Sequence, residues 1–206
     1  TAPHLCLSRV QTALAGKPVT SIPMPGREGH PAADRLVWML SFLEGTPFAE
    51  ARPQTDEMRS SLGRFLGALD QGLQGFTHPA SERDFKWDLS RAEWALGSLD
   101  HIADPARRAL VLRGLTLFKS RVVPSLPQLR RSVIHSDAND HNVLVSGRDA
   151  EQHKVTSVID FGDMHLGLTV AEVAIGAAYA LLGGRGPLAA AAAVVRGYHQ
   201  THPLDE

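Results

Sequence analysis

The sequence predicts a mixed α/β chain of the α+β kind, in which helix dominates and short strands carry polar loops. Three observations predict it: helical apolar spacing between Thr55 and Gln71, short β-branched runs between Val133 and Phe161, and alanine-rich helical stretches from Val170 onward. A chain of 206 residues, 43% hydrophobic and 21% charged, is long enough for one substantial core or two small lobes. That composition excludes disordered and fibrous classes.

Taken in order, residues 5–30 hold short apolar pieces broken by Gly16, Pro18, Pro23, Pro25, Gly26 and Gly29, which suits strands and turns. Arg35 to Leu43 reads as a buried strand, ended by the turn residues Glu44-Gly45-Thr46-Pro47. Met58, Leu62, Phe65, Leu66 and Leu69 then recur at helical spacing, with Thr55 at the start. Phe85 to Leu89 reads as a loop, and Ser90 as the cap of a short helix containing Trp94 and Leu96. A long helix is expected from Pro105 to Val123, stopped by Pro124. Three short strands follow at Val133 to His135, Asn142 to Ser146 and Val155 to Phe161. Val170 to Leu182 and Pro187 to Tyr198 close the chain as helices, the first apolar nearly all round and so expected to be buried. Trp38, Trp87 and Trp94 are expected in the core or at a lobe interface, with Trp87 also a candidate for acceptor contact.

Charge and cysteine usage narrow the class further. A formal charge of −1 leaves no basic footprint for nucleic acid, and Arg107-Arg108 and Arg130-Arg131 read as solvated positions. Cys6 is the only cysteine, so no intrachain disulfide can form. The longest apolar stretch is interrupted by Glu172 and falls short of the roughly 20 residues of a membrane span. No secretory leader opens the chain, so a cytoplasmic location and no membrane partner are expected.

The chemistry concentrates in His135-Ser136-Asp137-Ala138-Asn139-Asp140-His141-Asn142 and, after a turn, Ile159-Asp160-Phe161-Gly162-Asp163. Phosphoryl transfer needs a carboxylate to orient or deprotonate the attacking hydroxyl, and oxygen ligands for the Mg²⁺ that bridges the nucleotide phosphates. Asp137 with Asn142 five residues on has the H-x-D-x-x-x-x-N spacing of a kinase catalytic loop, and Asp160 precedes Phe161-Gly162 as such a metal ligand does. Asp137 is therefore the candidate base, Asn142 and Asp160 the candidate Mg²⁺ ligands, and His135 a hydrogen-bonding support. Leu144 would form a floor beneath a purine ring. A transition-metal set of His135, Asp137 and His141 is a weaker reading, since it leaves Asn142 and the Asp160 loop unexplained. Asp163 either supports Mg²⁺ indirectly, faces a substrate amine, or caps its loop. Glu172 fits a salt bridge or a helix-terminus contact better than substrate binding.

These two stretches resemble the catalytic and magnesium motifs of the aminoglycoside phosphotransferase and choline kinase superfamily. The wording of Ile134 to Leu144, Val158 to Met164 and Val170 to Ile175 is similar to the hydroxylysine kinase group. The resemblance implies a protein-kinase-like fold, represented mainly by its helical C-terminal lobe. On that pattern residues 1–45 are the remnant of N-terminal lobe strands and hinge, with the backbone near Ser41 and Leu43 meeting the adenine edge, and residues 46–206 are the catalytic lobe. It further implies transfer of the γ-phosphoryl of ATP or GTP to a hydroxyl of a small metabolite, a hydroxylysine-like amino alcohol or an aminoglycoside-like acceptor.

Two departures stand out. The family's glycine-rich hairpin, phosphate-binding lysine and partner glutamate have no counterpart ahead of Arg35, and Lys17 lies in a turn-like setting. A fragment lacking most of its N-terminal lobe, inactive by itself and prone to self-association, is the expectation; a non-catalytic binding module within a larger protein is the alternative. Many members also carry Gly where Ser136 stands, a replacement that is tolerable if the backbone angle there is ordinary.

Overall fold

Two strands, β1 (Thr20–Met24) and β2 (Ala33–Val37), pair antiparallel, with Thr20 opposite Val37 and Met24 opposite Ala33. The computed structural model describes residues 20–24, 33–37, 42–147, 152–182 and 186–205. The strand expected from Arg35 to Leu43 is seen only as far as Val37; Trp38 and Ser41 lie outside the described residues, as does Cys6. Phe42 is 88% exposed and not part of a buried strand. Thr46-Pro47, expected as a turn, is a two-residue strand, β3 (Thr46–Pro47), paired with β5 (Val143–Ser146) as Thr46 to Val145 and Pro47 to Leu144. Proline is admissible there because this edge needs no further N–H.

Helix α1 (Asp56–Leu73) begins at Thr55, whose hydroxyl accepts from the Met58 amide at 3.1 Å. Asp56 and Glu57 in its first turn oppose the positive end of the helix dipole. Met58, Leu62, Phe65, Leu66, Leu69 and Leu73 bury one face, each full burial contributing about 1.5–3 kcal/mol. That face meets α3 (Thr169–Leu181) and α4 (Pro187–Thr201), the two C-terminal helices. Gly63 and Gly197 let α1 and α4 cross backbone to backbone. A methyl at Gly63 would stand 1.9 Å from the Val194 carbonyl oxygen, and one at Gly197 would stand 2.0 Å from that of Ser60.

The strands carrying the polar loops lie against this helical core. β5 pairs antiparallel with β6 (Lys154–Val158), Val143 opposite Val158, with an irregularity between Leu144 and Val145. Ser61 ties the hairpin to α1, accepting from the Val155 amide at 2.9 Å and donating to the Met58 carbonyl at 2.7 Å. β4 (Arg131–Ile134) pairs with β7 (His165–Leu168), a strand the sequence reading did not anticipate. Helix α3 is not buried all round: Ala174, Ala178 and Leu182 are exposed on one side.

An arm of short helices leaves the core after α1: 3₁₀ segments Pro79–Ser81 and Leu89–His101, then α2 (Pro105–Leu117), a π turn Phe118–Val122 and a 3₁₀ turn Val123–Gln128. Asp88, not Ser90, caps the second segment, its Oδ1 accepting from the Ser90 amide at 2.9 Å. The long helix expected to reach Val123 ends as α-helix at Leu117, then loosens and retightens where Pro124 and Pro127 remove backbone donors. Trp87 and Trp94 stack edge to face at 5.4 Å on this arm, 57% and 39% exposed, and so are not core residues. Among the described residues no helix is long and apolar enough to cross a membrane.

The helix crossing is testable directly. Gly197→Ala should lower the unfolding free energy by about 3 kcal/mol, since backbone cannot yield as a flexible side chain can. Urea denaturation of the variant against wild type measures it, and an unchanged midpoint would refute the close crossing.

Candidate active site

Antiparallel pairing assembles the site. Asn142 immediately precedes β5 and Ile159 immediately follows β6, so the Val143–Val158 pair sets both polar loops at one end of the hairpin. Three contacts close the junction. The Ile159 amide donates to the Asn142 carbonyl at 2.9 Å, His135 Nε2 donates to the Ile159 carbonyl at 2.9 Å, and the His135 ring meets Phe161 edge-on at 4.7 Å. His135 Nδ1 accepts from the Asp137 amide at 3.2 Å. Both ring nitrogens are thereby engaged, which leaves neither for the transition-metal set weighed above. His141, the third member of that set, is exposed.

The carboxylate of Asp137 is held at both oxygens. Oδ1 accepts from Asn139 Nδ2 at 3.0 Å and Oδ2 from Asn142 Nδ2 at 2.7 Å. Asn142 Nδ2 also donates to the Asp137 carbonyl at 2.9 Å, so the amide nitrogen is turned toward Asp137. Asn139, to which the sequence reading gave no role, accepts at Oδ1 from the amides of His141 and Asn142, at 2.9 and 3.1 Å, and so shapes the whole turn. Its signal was available, since an asparagine two residues past a loop aspartate is a common local acceptor. Asp160 is exposed, has φ 62°, and accepts from the Gly162 amide at 3.2 Å through Oδ1, leaving Oδ2 open. A neutral amide oxygen and a carboxylate oxygen at one hairpin end form a hard donor set that suits Mg²⁺.

Ser136 carries a correction. Its backbone is not ordinary: φ is 67°, in the left-handed region, where a non-glycine residue costs about 1–2 kcal/mol. Glu172, in the first turn of α3, holds that turn by accepting from the Ser136 amide at 2.8 Å through Oε2. Among the described residues the contact is a hydrogen bond from the Asp137 loop into the core rather than a salt bridge. Glu172 and Asp70 are both fully buried, and one oxygen of each, Oε1 and Oδ1, has no hydrogen-bond partner among the described residues. Burial pushes the Glu172 carboxyl above the ordinary glutamate range, against the pull of His135 and of the Ser136 amide. Burial, and then the neighbouring Glu172, raises Asp70 in the same sense, against the hydroxyl hydrogen bond from Tyr198.

A cavity of about 630 Å³ opens beside Asp137. Ser136, Asp137 and Asp163 line its polar side, Trp87 and Leu89 a second wall, and Ala174, Ile175, Ala178, Tyr179 and Leu182 of α3 a third. The structure thus brings Asp163 and Trp87 to the same space as Asp137. Tyr179 belongs there too and was missed, because an alanine-rich apolar helix gives no sign of which face looks outward. Leu144 is buried on β5, where a methyl at Gly45 would meet its Cβ at 2.9 Å, and Leu43 is half-buried; Ser41 lies outside the described residues.

Two polar loops joined at one hairpin end over a helical core carry the fold of the protein-kinase-like phosphotransferases. The chain belongs to the APH phosphotransferase enzyme family, whose pattern matches residues 9–205. It is 30% identical over 177 residues to hydroxylysine kinase of Mus musculus, covering 82% of this chain and 47% of that protein. It is likewise 30% identical over 184 residues to hydroxylysine kinase of Bos taurus, covering 85% and 49%. The chain thus spans about half the length of the curated relatives it matches. A microcompartment-associated aminopropanol kinase of known structure shares the fold, with a TM-score of 0.60 at 24% identity over 99% of this chain and 67% of that one.

The buried acids set a pH dependence. Folding raises both carboxyls above their ordinary 3.8 and 4.5, so the native state binds more protons than the unfolded one. Their contribution is greatest at acid pH and is lost as pH rises through the raised values. Asp70→Asn keeps an acceptor for Tyr198 but cannot ionise. Relative to wild type it should gain stability between about pH 5 and about pH 8 in urea titrations, and a constant difference across that range would refute the assignment.

Proposed function

We propose that the chain is the catalytic lobe of a small-molecule kinase that moves the γ-phosphoryl of ATP or GTP to a hydroxyl of a small amino alcohol. The observation that supports it most is the shared cavity: Asp137, with both carboxylate oxygens oriented by asparagine amides, faces the same space as Asp163 and the aromatic side chains of Trp87 and Tyr179. In this reading Asp137 accepts the proton of the attacking hydroxyl as its oxygen bonds to the γ-phosphorus and the bond to the β-phosphate bridging oxygen breaks. Asn142 Oδ1 and Asp160 would hold Mg²⁺, which would supply neutralisation of the phosphate charge. Asp163 and Trp87 receive the acceptor's amine, through charge and through the ring face. The alanines and Ile175 of α3, with Leu182 just after it, suit an aliphatic chain better than a polycationic sugar.

On the nucleotide side, Leu144 forms the floor beneath the purine, and the backbone near Ser41 and Leu43 meets its edge. Residues 1–45 correspond to N-terminal lobe strands and hinge, and residues 46–206 to the catalytic lobe. The relatives named hydroxylysine kinase make 5-hydroxylysine the first acceptor to try.

Two measurements test the reading. Thermal-shift titration with ATP and GTP should show a Mg²⁺-dependent stabilisation of about 2.7 kcal/mol at a hundredfold excess over Kd, lost in Asp160→Asn. In the protein expressed from its complete reading frame, Asp137→Asn should keep the shift but cut phosphoryl transfer by about 10²–10⁴. Nucleotide binding without transfer to any amino alcohol would instead make the protein a binding module, and no binding by the complete protein would refute the nucleotide site.

A further inference from the structure

The arm between α1 and β4 supplies one wall of the cavity, yet almost nothing in it is buried. Between Gln74 and Ser132 only Ser81 and Asp88 are buried, and the four helical segments from Leu89 to Gln128 bury no residue at all. The arm's apolar packing on the core is confined to its two ends, through Phe76 at one and Leu126 and Leu129 at the other, so the stretch beside the cavity between them has its position set by its few polar anchors. The buried anchor beside the cavity is Asp88, flanked in sequence by the two wall residues Trp87 and Leu89.

Asp88 faces His165. The His165 Nε2 to Asp88 Oδ1 distance is 3.8 Å, with the two side chains 3% and 11% exposed, and Nε2 has no hydrogen-bond partner among the described residues. His165 Nδ1 donates to the Asp163 carbonyl at 3.1 Å, and the residue opens β7 directly opposite Ile134, whose chain leads into His135 and Asp137. One imidazole therefore touches the acceptor wall on one edge and the Asp160–Asp163 loop on the other, while its backbone is paired to the strand that carries the catalytic loop. The preceding stretch of the arm adds two more contacts to the same loop. Phe85 packs on the His165 ring at 4.8 Å, and Arg83 donates to the Gly162 carbonyl at 2.9 Å while lying over Phe85 at 4.5 Å.

We infer that His165 and Asp88 form a positioning pair that fixes the Trp87–Leu89 wall relative to Asp137 and Asp163, and so sets how the acceptor is held. The inference rests on reading the cavity as the acceptor site. Neither residue touches the reacting atoms; the pair acts through the wall. A buried pair serving stability alone would lower apparent kcat through the folded fraction and leave both KM values unchanged. A positioning pair alters acceptor binding selectively.

The test separates these roles. His165→Leu removes both polar contacts, His165→Asn keeps a donor toward Asp163, His165→Gln keeps a donor toward Asp88, and Asp88→Asn keeps the cap on Ser90 without the charge. In the complete protein, with 5-hydroxylysine and Mg²⁺-nucleotide, His165→Leu and His165→Asn should raise the acceptor KM about tenfold with the nucleotide KM unchanged, and His165→Gln should restore most of the loss. On the 206-residue chain, amide exchange of Ser90 to Trp94 should accelerate about tenfold in His165→Leu and Asp88→Asn, with α1 and α4 unaffected.

Both KM values unchanged, acceptor and nucleotide KM rising together, no difference between Gln and Asn, or unchanged exchange in the arm would each overturn the inference. The exchange measurement needs no activity. If the wild-type protein transfers no phosphoryl group, the proposed function fails, while accelerated exchange would still support the anchor and unchanged exchange would still sink it.

Discussion

The hydrogen bond from the Ser136 amide to Glu172 is the contact on which the site depends. A carboxyl placed inside a helical core must find donors, and here the donor belongs to the residue immediately before Asp137. The bond holds Ser136 in a left-handed conformation that its side chain disfavours, and that conformation aims the following carboxylate toward the cavity. From that fixed point the rest of the loop is built by short local bonds: Asn139 shapes the turn, Asn142 clamps Asp137, and His135 reaches across to the end of β6. The rigidity of the core is thus passed to a loop that would otherwise be held only by itself.

Much of this was legible in the sequence. The core helices follow from apolar spacing, and Thr55 is the cap its position implies. The two acidic loops were recognisable because their chemistry requires particular residue types at particular separations, and the hairpin between them had to bring Asn142 and the end of β6 to one end. What could not be read was tertiary. β7 is four residues long with Gly167 inside it, too short and too irregular for periodicity to reveal, and it exists because Ile134 and its neighbours need a partner. The left-handed angle at Ser136 is imposed by Glu172, which lies 36 residues away in the chain. Trp87 and Trp94 look like core residues by composition, but they sit on an arm with no core to join.

The site therefore combines two mechanical regimes. Asp137, Asn142 and Asp160 stand on a hairpin fastened to α1 through Ser61 and to α3 through Glu172, so their mutual geometry shares the stability of the helical core. Trp87 and Leu89 stand on a segment with few buried contacts. One wall of the cavity is thus held firmly and the facing wall loosely.

The sparsely buried arm carries a further consequence for where the chain tolerates change. Because the helices from Leu89 to Val122 contribute no buried residue, substitutions within them leave the packing of α1, α3 and α4 almost untouched, whereas Leu126 in the last turn packs against Ile134, Leu168 and Ala171. Mutational tolerance is therefore concentrated in the segment that borders the cavity. Changes in this stretch can therefore reshape the cavity without drawing on the stability of the helical core.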